Sequence, residues 1–278
     1  MGWKARKDAP GDFAHLSQGT THFQWYGPSK GPVLVCVHGL TTPSFVFSRL
    51  APGLALLGYR VLVYDLYGRG YSNKPKGPQD TEFFVRQLRD LLAHQKLENK
   101  LIALMGYSMG GAIATAFAFE YPERVTRMIL FAPAGINVPQ APMIRVVRDV
   151  PVLGDWVMHA IYPTRLRQGI RAEGDVEFGP LQLSQLRYRG FVQAVLASLR
   201  GILSVSFEQE HKYLVTEETP ILVVWGEKDS VIPLSCKETL STWNPTTQHI
   251  VIHDAGHGLI YTNANRILVE ITDFLTVG

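Results

Sequence analysis

Short apolar runs without alternation recur along the chain: Val33 to Val37, Arg60 to Tyr64, Leu101 to Met105, Arg127 to Ala132, Pro220 to Trp225 and Gln248 to His253. Runs of this length predict strands covered on both faces. Helical patterns lie between them. Ser44 to Leu57 places Phe45, Phe47, Leu50, Leu54 and Leu57 on one face and ends at Gly58. Asp80 to Leu97 has Asp80 as a cap and Phe84, Leu88, Leu91 and Leu92 on one side. An Ala-rich helix from Ala112 to Glu120 closes at Pro122, and a last helix runs from Asn263 to Leu275. Before all of these, Asp12 to Gln18 and Thr20 to Tyr26, separated by Gly19, predict a hairpin at a sheet edge. Strands alternating with helices predict an α/β fold with a mostly parallel sheet and helices on both faces.

The alternation stops between Ala132 and Pro220. That interval has helical patterns but no pair of buried strands, and Pro151, Pro163 and Pro180 cut it into short pieces. It also carries Val147, Met158, Ile161, Phe191, Val195 and Leu199, too many apolar residues for a linker. The expected division is a core over 1–133 and 216–278, with an inserted helical cap over 134–215.

The composition adds few constraints. Of 278 residues, 46% are hydrophobic and 18% charged, which fits a compact globule and excludes a disordered chain. The net charge of +3 and the lack of a Lys/Arg block argue against a nucleic-acid partner. Cys36 and Cys236 read as separate buried thiols. Residues 1–11 form a polar leader without an apolar signal region. Gly2 is followed by Arg6 where a myristoylation motif needs Ser or Thr. No apolar run is long enough to cross a bilayer. The expectation is a cytoplasmic protein with no stable membrane anchor.

Chemistry enters at Gly106-Tyr107-Ser108-Met109-Gly110, set between a buried strand and a helix. In that context Gly-x-Ser-x-Gly predicts a nucleophile elbow, with Ser108 projecting above the sheet. A serine hydroxyl needs a histidine base, and the histidine needs a carboxylate. In chain order the acid and then the base should follow late strands. Trp225-Gly-Glu-Lys-Asp229 supplies Asp229, with Glu227 as a rival. His253-Asp-Ala-Gly-His257-Gly supplies His257, with Asp254 a weaker alternative acid. His249 and His253 belong to the strand, and His38 precedes the serine, so all three read as structural. The oxyanion donors would be the backbone N–H of Met109 and that of Leu40, just past the first buried strand. Asp65-x-x-Gly68-x-Gly70-x-Ser72 opens no helix and reads as a turn rather than a phosphate loop. Every one of these motifs follows the carboxyl end of a predicted strand, where open α/β sheets bind ligands.

Together His38-Gly39, the Asp65 motif, Gly106 to Gly111, Gly226-x-x-Asp229 and Gly256-His257 resemble the α/β-hydrolase superfamily over about residues 20–277. The resemblance implies a capped serine hydrolase that uses no cofactor and no metal. Its substrate would be a small-molecule carboxylic ester, cleaved through an acyl-enzyme. Ser108 argues against the haloalkane dehalogenases and epoxide hydrolases, which use Asp there. Meta-cleavage-product C–C hydrolases look similar but usually carry Asn where this chain has Tyr107. A ligand receptor on the same scaffold is a further alternative, since fold does not fix function. Phe45, Tyr107, Trp156 and Tyr162 are the aromatic candidates for an apolar pocket.

Overall fold

The computed structural model describes residues 6, 7, 9–137 and 142–276. Residues 1–5 and 8 of the predicted leader, Gly2 among them, lie outside the described residues.

Eight strands form one sheet: β1 (Asp12–Leu16), β2 (Gly19–Tyr26), β3 (Val33–Val37), β4 (Arg60–Tyr64), β5 (Ile102–Tyr107), β6 (Val125–Phe131), β7 (Ile221–Gly226) and β8 (Gln248–Ile252). The spatial order is β1-β2-β4-β3-β5-β6-β7-β8. β1 and β2 pair antiparallel, and β2 pairs antiparallel with β4, so the predicted hairpin is the sheet edge. All remaining pairs are parallel. β3, β5 and β7 are buried at every residue, which is why the sequence shows no alternation there. Among the described residues, no single helix is long and apolar enough to cross a membrane.

Helices follow the strands of the core. The stretch from Ser44 to Leu57 is a 3-10 turn, Ser44–Phe47, and a separate α1, Ala51–Leu56. Pro52 stands in the first turn of α1 and has no N–H to give the carbonyl four residues back, so a helix running on from Phe47 would lose that bond. α2 (Thr81–His94) begins as predicted, with the Asp80 carboxylate accepting the Phe83 N–H at 2.9 Å. α3 (Met109–Glu120) starts three residues earlier than its Ala pattern suggests, because Ser108 itself is the cap residue. Met109 to Ala118 of α3 are all buried, and their small side chains let the helix lie close to β5.

The interval expected to form a cap holds α4 (Pro142–Asp149), α5 (Leu153–Glu173), α6 (Phe178–Ser184) and α7 (Phe191–Arg200). Val147, Met158, Phe191, Val195 and Leu196 form a small core of its own, apart from the main one. Pro163 does not divide this region: α5 runs through it, forgoing the bond its N–H would have made. α8 (Glu208–Thr216) packs on α3 and on α9 (Cys236–Trp243), and its Leu214 joins the main core. The chain closes with a short α10 (Leu259–Thr262) and then α11 (Ala264–Thr276), which matches the predicted final helix.

His211 of α8 is 1% exposed, and its Nδ1 has no hydrogen-bond partner. Burial pushes its pKa down from 6.5 to about 4. The unfolded chain therefore binds a proton between these values that the native state refuses. The stability tied to the neutral ring is complete above pH 6.5 and is lost as pH falls towards 4. We expect His211→Leu to lose less stability than the parent between pH 7.5 and pH 5, by an amount on the order of 2 kcal/mol. Urea midpoints at the two pH values measure it.

Candidate active site

The strand-to-helix turn is tight enough to need its glycines. A Cβ on Gly106 would lie 2.6 Å from the Gly110 carbonyl oxygen, and one on Gly110 would lie 2.0 Å from that of Val37. Without side chains at these points, α3 can pass directly over β5 and β3. Ser108 between them has φ 53° and ψ −118°, a conformation L-residues avoid. Its carbonyl oxygen accepts the N–H groups of Gly111 (2.9 Å) and Ala134 (3.0 Å), and its own N–H donates to Phe131 O (2.9 Å). These bonds hold the strained residue. The side chain is aimed above the carboxyl end of the sheet.

His257 meets it there. Its Nε2 lies 3.0 Å from Ser108 Oγ, and its Nδ1 lies 2.8 Å from Asp229 Oδ2. A carboxylate can only accept, so Nδ1 carries the proton and Nε2 is free to accept from the serine hydroxyl. The Asp229 side chain is fully buried. Its other oxygen accepts the N–H groups of Val231 and Ile232, each at 2.8 Å, which fixes the carboxylate. Tyr107 OH donates to the His257 carbonyl (3.1 Å) and secures the histidine loop from below. Ser108, Asp229 and His257, separated by up to 149 residues, thus converge in one hydrogen-bonded row.

The rival groups lie elsewhere. Glu227 accepts the Asp254 N–H and pairs with His253 on the surface, away from His257. Asp254 pairs with Lys228. His249 accepts the Trp225 indole N–H at 3.0 Å.

His38 has an orienting part. Leu66 N–H donates to its Nε2 (2.8 Å), so the proton is on Nδ1 and is donated to Gly39 O (2.7 Å). Burial lowers the His38 pKa to about 4, which keeps the ring neutral. The Gly39 carbonyl and the Leu40 N–H belong to one trans peptide and point in opposite directions. Holding the carbonyl on His38 therefore aims the Leu40 N–H the other way. Gly39 itself passes within about one van der Waals contact of Ser108: a Cβ there would lie 3.2 Å from Ser108 Cβ. Met109, the first residue of α3, has an N–H that the helix leaves unpaired.

Asp65 anchors the neighbouring turn. It accepts the N–H and the hydroxyl of Ser44 and the N–H of Tyr71, and pairs with His22 at 2.8 Å. Burial alone would raise its pKa; the hydrogen bond and charge of His22 outweigh this and hold it below the usual carboxylate range.

A cavity of about 1270 Å³ lies between the sheet and the cap and reaches Ser108 and His257. Tyr107 and Tyr162 line it, with Met158, Ile161, Leu166 and Ile170 from α5. Leu40 lines it as well. Two of the aromatic expectations are corrected. Phe45 is not in the lining; it stacks on Phe178 with ring centroids 5.8 Å apart. Trp156 is 69% exposed, because it lies on the face of α5 opposite to the one that follows Val157 and Ile161 into the cavity. A buried cation beside the site carries no signal in the sequence. Arg69 reads as part of a glycine-rich turn, yet it is wholly buried and bonds to the Leu40 carbonyl. Among the described residues, no group of three or more His, Cys, Asp or Glu side chains could hold a metal ion.

Residues 32–264 match the family described as the alpha/beta hydrolase fold. The chain belongs to that family. Within it, a "Lipase 1" of Psychrobacter immobilis is 28% identical over 245 residues, covering 83% of this chain and 73% of its own length. A 2-hydroxymuconate semialdehyde hydrolase from a Pseudomonas species is 28% identical over 227 residues, covering 78% of this chain and 76% of its own. The solved structure of an esterase from Exiguobacterium antarcticum superposes with a TM-score of 0.80 at 18% identity, covering 96% of this chain and all of that one. At that identity the likeness to this alpha/beta hydrolase is one of fold.

Proposed function

We propose that this alpha/beta hydrolase is a serine hydrolase that cleaves a small or medium carboxylic ester with an apolar acyl group. Family membership gives the hydrolase class; the site carries the rest of the reading. The single observation behind it is the row Ser108 Oγ, His257 Nε2, His257 Nδ1, Asp229 Oδ2, with spacings of 3.0 and 2.8 Å, at the floor of a mainly apolar cavity. In this reading Ser108 attacks the ester carbonyl as His257 takes its proton. The oxyanion rests on the N–H groups of Leu40 and Met109. Imidazolium, stabilised by buried Asp229, then protonates the leaving alcohol. The neutral histidine next activates a water, which releases the acid from the acyl-enzyme. The cap over the cavity keeps bulk water from the acyl-enzyme and limits substrate size. No step calls on a metal or a cofactor.

The runner-up is C–C bond hydrolysis, favoured by the likeness to 2-hydroxymuconate semialdehyde hydrolase. Tyr107 before the serine weighs against it, since its hydroxyl is directed at the His257 carbonyl rather than into the cavity as a substrate ligand. A steady-state comparison of p-nitrophenyl esters, aryl amides and a dienoic diketo acid separates the readings. We expect the highest kcat/KM on an ester. Turnover of the diketo acid with none on any ester would promote the runner-up.

A further inference from the structure

Arg69 is 0% exposed, and all five of its N–H donors have partners. Nε donates to Leu40 O (2.9 Å). Nη1 donates to Tyr67 O (2.8 Å) and Gln79 Oε1 (2.6 Å). Nη2 donates to Ser198 Oγ (2.8 Å) and Ala194 O (3.3 Å). Ser198 closes the ring by donating to Gln79 Oε1 at 2.7 Å. None of these partners is a carboxylate. Burial without a counter-ion lowers even this guanidinium, to about 9. A buried cation held only by neutral oxygens is costly to keep. For stability alone, an apolar residue of similar size would serve as well or better.

The partners explain what the arrangement connects. Ala194 and Ser198 are on α7, a cap helix, whereas Leu40 is on the loop beside Ser108. α7 lies hard against the turn that carries Arg69: a Cβ on Gly68 would come within 2.3 Å of Ala194 Cβ, and one on Gly201 within 2.2 Å of Gln79 O. The two peptides that flank Leu40 are thus each held from a different side. His38 holds the one before it, by Gly39 O, and Arg69 holds the one after it, by Leu40 O. The His38 clamp belongs to the core. The Arg69 clamp is complete only when α7 is seated.

We propose that Arg69 is a positioning residue that ties the Leu40 N–H to the seating of cap helix α7, so that the oxyanion site is fully formed only beneath a closed cap. The proposal rests on the serine-hydrolase reading above. It gives the cap a second role besides shaping the cavity: an open cap, which admits substrate and water, leaves one oxyanion donor loosely held. Ester attack is then favoured only after the substrate is enclosed.

The test is a double-mutant cycle with Arg69→Met and Ser198→Ala, read as kcat, KM and the Ki of a trifluoromethyl ketone, which mimics the tetrahedral intermediate. Arg69→Met should lower kcat by more than about ten-fold, up to the ~10² of one donor lost outright, because His38 still holds the Gly39–Leu40 peptide; KM should change little. Its ketone Ki should rise in parallel. Ser198→Ala removes one hydroxyl, leaves Arg69 in place, and should lower kcat about five-fold with the same signature. In the Arg69→Met background the second change should have almost no further effect on kcat, because its only route to Leu40 is gone. Effects that multiply, or a rise in KM with kcat and ketone Ki unchanged, would overturn the proposal. Should Arg69→Met fail to fold, Ser198→Ala alone decides: unchanged kcat and ketone Ki would contradict it. Labelling of the parent by a fluorophosphonate is read alongside. If the parent labels and turns over ester but the cycle fails, only the role of Arg69 falls. If the parent does neither, the hydrolase reading falls and this inference with it.

Discussion

Ser108→Ala is expected to remove ester turnover and fluorophosphonate labelling while the protein keeps its fold. The hydroxyl is the atom that His257 Nε2 faces at 3.0 Å. Loss of a nucleophile of this kind costs about 10⁴ to 10⁶ in rate. Stability should change little. The backbone bonds of Ser108 to Gly111, Ala134 and Phe131 do not involve the side chain. Alanine also keeps the Cβ, so the cost of a φ of 53° is the same in both proteins. Turnover by the purified variant within ten-fold of the parent, at equal thermal stability, would remove Ser108 from the mechanism.

The second large effect is expected at Asp229. In Asp229→Asn the amide oxygen can still accept from the N–H groups of Val231 and Ile232, which hold Oδ1 now. Its NH2 then faces His257 Nδ1, 2.8 Å away in the parent. An NH2 there donates, which makes Nδ1 an acceptor and moves the ring proton to Nε2. That tautomer cannot take the serine proton. A fall in kcat of about 10³ to 10⁴ is expected. Glu227→Gln should cost less than about three-fold, since the Glu227 carboxylate meets His253 and the Asp254 N–H at the surface, away from His257. The same assay on both variants settles the acid; a larger loss at Glu227 would reassign it.

The strands and the triad candidates were legible in the sequence for a common reason. A parallel strand buried on both faces must be apolar throughout, so its carboxyl end is visible as the point where polar residues and glycines resume. Ser108, Asp229 and His257 each stand at such a point, and chain order sorts their roles. Boundaries shifted where a local rule acted: Pro52 cut the first helix, and Ser108 as cap moved the start of α3 to Met109. The cap was harder. Periodicity shows that α5 is helical but not which face meets the sheet, so the sequence offers Trp156 as a pocket residue although it is on the outside. Pro163 looked like a break, but the helix accommodates it. α8 has the composition of a cap helix and packs with the core. Arg69 was the least legible of all. Its partners stand up to 129 residues away, and nothing in a Gly-Arg-Gly turn announces a buried guanidinium. Long-range polar networks leave no periodic trace, because their spacing along the chain is set by the fold as a whole.

The acyl-enzyme at Ser108 is the centre of the proposed mechanism, and it can be weighed. Mixing the protein with excess p-nitrophenyl butyrate, quenching in acid within milliseconds, and digesting for mass spectrometry reads it directly. The expected result is a butyryl increment on the peptide that carries Ser108, absent in Ser108→Ala, and a burst of nitrophenol that matches the amount of enzyme. Steady ester turnover by the parent with neither an increment on that peptide nor a nitrophenol burst would contradict the covalent mechanism.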